Sequence, residues 1–131
     1  MTAYVLVGGA WLGGWCWQRV VRRLRDNGHD GYLVTLTGLG ERVHLASPEV
    51  DLETHITDLV NLIEFEELYD IVLIGHSYAG LVVTGAADRI PERILELVYL
   101  DTAPLPAGNV LIETFPPTHG PARRGAHMTA R

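Results

Sequence analysis

The sequence predicts an α/β domain built on a parallel β-sheet, and three observations carry that expectation. Four short apolar runs, at residues 4–7, 32–37, 71–74 and 94–100, alternate with stretches whose apolar residues recur at helical spacing. Glycine follows the first three runs at Gly8, Gly38 and Gly75, as it does where buried strands turn into loops or helices. Strands separated by helices cannot close as hairpins, so they pair in parallel through right-handed crossovers. With 131 residues, 47% of them hydrophobic and 20% charged, the chain has the composition of one folded domain. A chain of this size buries about two thirds of its unfolded surface.

Each element has its own signal. Residues 4–7 (Tyr-Val-Leu-Val) read as a buried strand stopped by Gly8 and Gly9. Trp17, Val20, Val21 and Leu24 mark a helix that Asn27 and Gly28 close with a left-handed cap. Residues 32–37 form the second strand, ended by Gly38 and Gly40. Asp51 can cap a helix whose apolar positions are Leu52, Ile56, Leu59, Val60 and Ile63. Residues 71–74 form the third strand, residues 81–89 a helix that Pro91 interrupts, and residues 94–100 the fourth strand. From Phe115 onward the chain is rich in Pro, Gly and Arg, so the expected division is a core at residues 1–115 and an irregular tail at 116–131.

Composition excludes several functions. All ten basic residues are Arg, which removes Schiff-base chemistry and the lysine-dependent phosphate loop. A net charge of −6 argues against nucleic acid as a partner. The single cysteine, Cys16, forbids an intrachain disulfide and argues against a cysteine metal site. No run of 18 apolar residues suggests a membrane span, and residues 1–4 do not read as a signal peptide, so a cytoplasmic location is expected.

Two segments carry chemistry. Gly75-His76-Ser77-Tyr78-Ala79-Gly80 lies between an apolar strand and a helix, the context in which a sharp turn exposes a nucleophilic serine. Ala79 stands where the usual pattern has glycine; the competing reading is a serine that only caps the helix. Gly8-Gly9-Ala10-Trp11-Leu12-Gly13-Gly14 follows the first strand and lacks the dinucleotide spacing. It reads as an oxyanion loop in which the Ala10 N–H joins that of Tyr78, or as a glycine turn serving packing alone.

These segments, with Thr37-Gly38-Leu39-Gly40-Glu41-Arg42 and Leu97-Val98-Tyr99-Leu100-Asp101, resemble the α/β-hydrolase superfamily, and within it the branch of methylesterases and hydroxynitrile lyases. The resemblance covers residues 3 to about 113 and implies a truncated hydrolase core: four strands in the order 2-1-3-4, corresponding to the family's third to sixth. It also implies that the family's usual histidine position is missing, so the chain is a minimal or a truncated hydrolase. Gly8 replaces the family's usual His, and Leu12 replaces one that is often present. Lyase members resemble the branch but carry Thr at the place of Gly9 and use a downstream Lys, so this chain, with Gly9 and no Lys, favours ester hydrolysis.

By that resemblance Asp101, at the end of the fourth strand, is the candidate acid, against the reading of an Asp that caps a turn. His119 and His127 follow Asp101 in the order Ser, Asp, His; His119 is the candidate base, against a solvated tail residue. His76 is expected to point away from the Ser77 hydroxyl, His29 to lie at the wrong end of the sheet, His55 on a helix surface and His44 in a loop. Trp11, Trp15 and Trp17 read as core and pocket wall, and Cys16 as a packed thiol. The function implied is a serine carboxylesterase for short acyl esters without metal or cofactor, its rivals being an impaired hydrolase-fold fragment or a small-molecule-binding module. The fourth strand, apolar and at the edge, is expected to associate as a homodimer or larger homo-oligomer.

Overall fold

The structure, a computed structural model, describes residues 2–102. Its elements are β1 (Ala3–Val7), α1 (Gln18–Asp26), β2 (Asp30–Val34), α2 (Leu52–Phe65), β3 (Ile71–His76), α3 (Ala79–Arg89) and β4 (Ile94–Leu100). Short 3-10 helices lie at Gly14–Trp17, Gly40–Leu45 and Pro91–Arg93. The sheet is parallel throughout, in the order β2-β1-β3-β4. Both class and strand order agree with the sequence. The expected boundary between core and tail at residue 115, together with His119 and His127, lies outside the described residues.

Chain direction explains which helix covers which face. β1 steps to β2 in one direction and β2 returns past β1 to β3, so two right-handed crossovers place α1 and α2 on opposite faces. Val5 and Val7 belong to a core shared with Leu52, Ile56, Leu59 and Ile63 of α2 and Leu81, Val82, Val83 and Ala86 of α3. Leu6, of opposite side-chain direction, is also fully buried. On that side α1 rests on β2 through Val21, whose Cγ2 would lie 3.0 Å from a Cβ built on Gly31.

Local chemistry sets the ends of the helices. α1 stops because Gly28 adopts φ +82° and two backbone bonds close the turn, His29 N–H to Leu24 O at 2.9 Å and Gly28 N–H to Arg25 O at 3.0 Å. α2 begins in a reciprocal capping box: the Thr54 N–H donates to Asp51 Oδ1 at 3.1 Å and the Asp51 N–H to Thr54 Oγ1 at 3.3 Å. Pro91 opens the 3-10 turn that leads into β4. The second strand begins two residues before the expected 32–37 and ends at Val34; beyond it the Thr35 carbonyl accepts from Arg42 at 2.9 Å and the Thr37 N–H donates to Asp58 Oδ2 at 2.6 Å.

Candidate active site

Parallel strands deliver their carboxyl ends to one edge, where the loops after β1, β2 and β3 meet the end of β4. β3 ends at His76 and α3 begins at Ala79, so only Ser77 and Tyr78 make the turn. Ser77 adopts φ +56°, a left-handed conformation uncommon for a residue with a Cβ and concentrated at functional sites. Its N–H donates to Leu100 O at 3.1 Å, and its carbonyl accepts from the Gly80 N–H at 3.0 Å. The first bond ties the turn to the end of β4. It places Asp101, itself at φ +54° and exposed, one residue beyond the atom that holds Ser77.

The loop after β1 lies against the same turn. A Cβ on Gly9 would sit 3.2 Å from Ser77 Cβ and 3.2 Å from His76 Nδ1, so the backbone at residue 9 packs tightly against the turn. Gly9 is buried, and half-buried Ala10 follows it directly. Ser77, Tyr78, the Gly9–Ala10 loop and the end of β4 thus converge at one edge of the sheet.

A second network fastens that loop from behind. The Gly14 N–H donates to Thr35 Oγ1 at 2.7 Å, and the Thr35 hydroxyl donates to Glu41 Oε2 at 2.6 Å. Arg42 donates to the Thr35 carbonyl at 2.9 Å. The Thr35 hydroxyl, more than any other contact, holds the Glu41 carboxyl below its ordinary value. Gly40, at φ +51°, donates its N–H to Trp11 O at 3.3 Å and leaves no room for a side chain, since a Cβ there would lie 2.6 Å from Gly13 Cα. The Thr37-to-Arg42 segment is therefore structural support for the glycine loop.

Several single residues depart from expectation. Trp11 and Trp15 are 54% and 52% exposed, so they are not core; their loop carries them outward at the strand ends, and only Trp17 is half-buried. Cys16 is exposed as a residue, yet its sulfur lies toward Gly8, and partial burial pushes its thiol pKa up. His29 does lie at the amino edge, accepting the Thr2 N–H on Nδ1 at 3.2 Å. His44 is exposed in the 3-10 turn after β2.

The larger correction is His55, which is buried at 6% exposure instead of lying on the surface. Its Nε2 lies 2.8 Å from Thr37 O and its Nδ1 2.8 Å from the Tyr78 hydroxyl. A carbonyl only accepts, so Nε2 carries the proton and Nδ1 accepts from Tyr78. The sequence held a usable signal. His55 stands three residues after Leu52 and four before Leu59, on the same apolar stripe.

Burial pushes the His55 imidazole below its ordinary value and Arg42 adds to that, against the raising effect of the Thr37 carbonyl, Asp58 and Asp51. An unfolded His titrates near ~6.5, so between the folded and unfolded values the unfolded chain binds the extra proton. The stabilising contribution is complete above about pH 6.5 and is lost as pH falls through the folded value. Urea unfolding at pH 7 and pH 5 should therefore show a larger acid loss in the native chain than in His55→Asn. Equal losses would contradict the neutral, buried imidazole.

Comparison with known proteins agrees with this architecture. The model of the alpha/beta hydrolase family matches residues 4–131. A carbendazim hydrolyzing esterase from Nocardioides sp. (strain SG-4G) is 49% identical over 116 residues, 88% of this chain and 48% of that protein. An extracellular alpha/beta-hydrolase from a Paenibacillus species superposes with a TM-score of 0.80 at 29% identity, covering 90% of this chain and 48% of that one. A methylesterase from Arabidopsis does so with a TM-score of 0.73 at 28% identity, over 83% and 47% of the two chains. The chain thus spans about half the length of the relatives it matches. With a parallel β2-β1-β3-β4 sheet, a serine in the left-handed turn after β3 and a family match over nearly its whole length, the chain belongs to the alpha/beta hydrolase family.

Proposed function

We propose that this chain carries the nucleophile and the oxyanion hole of a serine carboxylesterase acting on small acyl esters. The observation that carries the reading is Ser77, held at φ +56° between β3 and α3 with the Gly9 backbone against it. That is the conformation of a nucleophile elbow, in which the hydroxyl projects above the sheet and the helix N-terminus favours developing negative charge. Relatives named as an esterase and a methylesterase support ester substrates.

In this mechanism Ser77 Oγ attacks the ester carbonyl while a histidine accepts its proton. The tetrahedral oxyanion takes hydrogen bonds from the Ala10 and Tyr78 N–H groups, each of which contributes about 3 kcal/mol when the charge develops. The alcohol leaves with the proton returned by the histidine, and water then cleaves the acyl-serine by the same route. Asp101 orients the histidine; its attachment beside the Leu100 carbonyl that holds Ser77 supports that role. His119 is the proposed base, and residues 116–131 are its carrier beyond the core at 1–115. No step calls for a metal or cofactor.

His119→Ala is expected to lower kcat for p-nitrophenyl acetate by at least about 10²-fold, with KM little changed. His127→Ala and His44→Ala should stay close to the native rate. If removing residues 116–131 leaves activity intact, the tail supplies no base and the assignment falls.

The edge strand β4 supports a second copy of this chain as the partner. Leu95 is 66% exposed, Leu100 is exposed, and among the described residues β4 pairs on one side only. Light scattering at micromolar concentration should give a dimer or larger assembly, which a Leu95→Lys exchange disperses; a monodisperse native monomer would contradict the pairing.

A further inference from the structure

Tyr78 has two parts that point to different tasks. Its backbone N–H is the oxyanion donor of the reading above, whereas its side chain runs back into the core at 4% exposure. There the phenol donates to His55 Nδ1 at 2.8 Å, and the two rings meet edge to face with centroids 5.6 Å apart. His55 Nε2–H donates in turn to the Thr37 carbonyl at 2.8 Å. Thr37 is itself fixed to α2, its N–H donating to Asp58 Oδ2 at 2.6 Å and its hydroxyl to Asp58 Oδ1 at 2.8 Å. The direction of every donor is therefore determined, from the phenol through the imidazole to a carbonyl anchored by a carboxylate.

We infer that Tyr78, through this buried bond to His55, is a positioning residue for the elbow, holding the Ser77–Tyr78 peptide in the orientation that aims the Tyr78 N–H at the oxyanion. The inference rests on the proposed function and adds to it. Its physical basis is the conformation of Ser77. Ser77 keeps its left-handed conformation only while the peptides on both sides of it are held; the Leu100 carbonyl holds the preceding one, and the following one carries the donor. Two contacts hold that following peptide: the Gly80 N–H on Ser77 O at 3.0 Å, and the side chain of Tyr78. A phenylalanine would fill nearly the same space without the anchor. Burying a hydroxyl and an imidazole is unfavourable unless both are bonded, and here each is bonded to the other.

The test compares three variants of the full chain. His55→Asn places an amide oxygen near the position of Nδ1 and keeps an acceptor for Tyr78. His55→Gln reaches toward Thr37 and loses that acceptor. Tyr78→Phe removes the donor alone. Misplacing a reacting group by about 1 Å can cost roughly 10²-fold, so a partial loss of aim should lower kcat by about tenfold in Tyr78→Phe and His55→Gln. KM should stay within about twofold, and His55→Asn should retain most of the rate. Amide hydrogen exchange supplies the second readout. Ser77, bonded to Leu100 O, and Gly80 and Leu81, bonded to Ser77 O and Tyr78 O, should exchange at least about tenfold faster in Tyr78→Phe. Ile90, bonded to Ala86 at the far end of α3, should not change.

Native turnover that persists in Tyr78→Phe within about twofold would overturn the positioning role and leave the esterase reading standing. Absence of turnover in the native chain would remove the esterase reading instead, and the exchange measurement then decides. Acceleration confined to the elbow supports the anchor; no acceleration, or equal acceleration at Ile90, overturns it.

Discussion

Exchanging Ser77 for Ala is expected to reduce turnover of p-nitrophenyl acetate by about 10³-fold or more. What remains is the effect of binding and of the two N–H donors proposed for the oxyanion, which the substitution leaves in place. The fold should survive, because the bond from the residue-77 N–H to Leu100 O belongs to the backbone and Ala retains it. Ser77→Gly gives the complementary result. Left-handed conformation costs a residue with a Cβ about 1–2 kcal/mol, while a new glycine costs about 0.4–1 kcal/mol through the unfolded chain. The Gly variant should thus be inactive yet more stable by roughly 0.5–1 kcal/mol, read by urea unfolding. A Gly variant less stable than the native chain would show that Ser77 is not strained.

The largest stability effect should come from Gly75→Val. Gly75 lies at the crossing of β3 and α3, where a Cβ would fall 2.8 Å from the Ala79 carbonyl oxygen and 2.9 Å from Val83 Cγ2. The first neighbour is backbone at the start of α3 and cannot move aside without shifting the elbow. Overpacking of this kind costs about 3 kcal/mol, a large share of the total stability of a domain this size. Urea denaturation should show that loss together with reduced activity. A loss below about 1 kcal/mol would mean that α3 sits more loosely on the sheet than described here.

The parts of this account that sequence could supply are those governed by local pattern. Ile94–Leu100 is recovered residue for residue because its apolar run is bounded by Pro91 on one side and Asp101 on the other. The cap at Asp51 and the left-handed Gly28 follow from residue types with few alternative uses. Ser77 is legible for the same reason, since strand, turn and helix leave it one place to be. A polar side chain on a helix is usually solvated, so the sequence alone points His55 to the surface. Its burial depends on the Tyr78 hydroxyl, 23 positions away in sequence and adjacent only after β3 and α2 pack on one core. The Thr35–Glu41–Gly14 network was invisible for a similar reason: it joins two loops that parallel pairing of β1 and β2 brings to the same edge. The tryptophans failed in the opposite direction, because their hydrophobicity points inward while the loop geometry carries Trp11 and Trp15 outward.

The central claim is that Ser77 is an activated nucleophile, and covalent labelling tests it most directly. A fluorophosphonate reacts with a serine whose proton is being withdrawn and whose adduct oxygen is stabilised, whereas an ordinary surface serine stays unmodified. Incubation of the full chain followed by peptide mass spectrometry should give a single phosphonylated residue, Ser77, with no labelling in Ser77→Ala. A native chain that remains unlabelled, or one labelled only at other residues, would contradict the account.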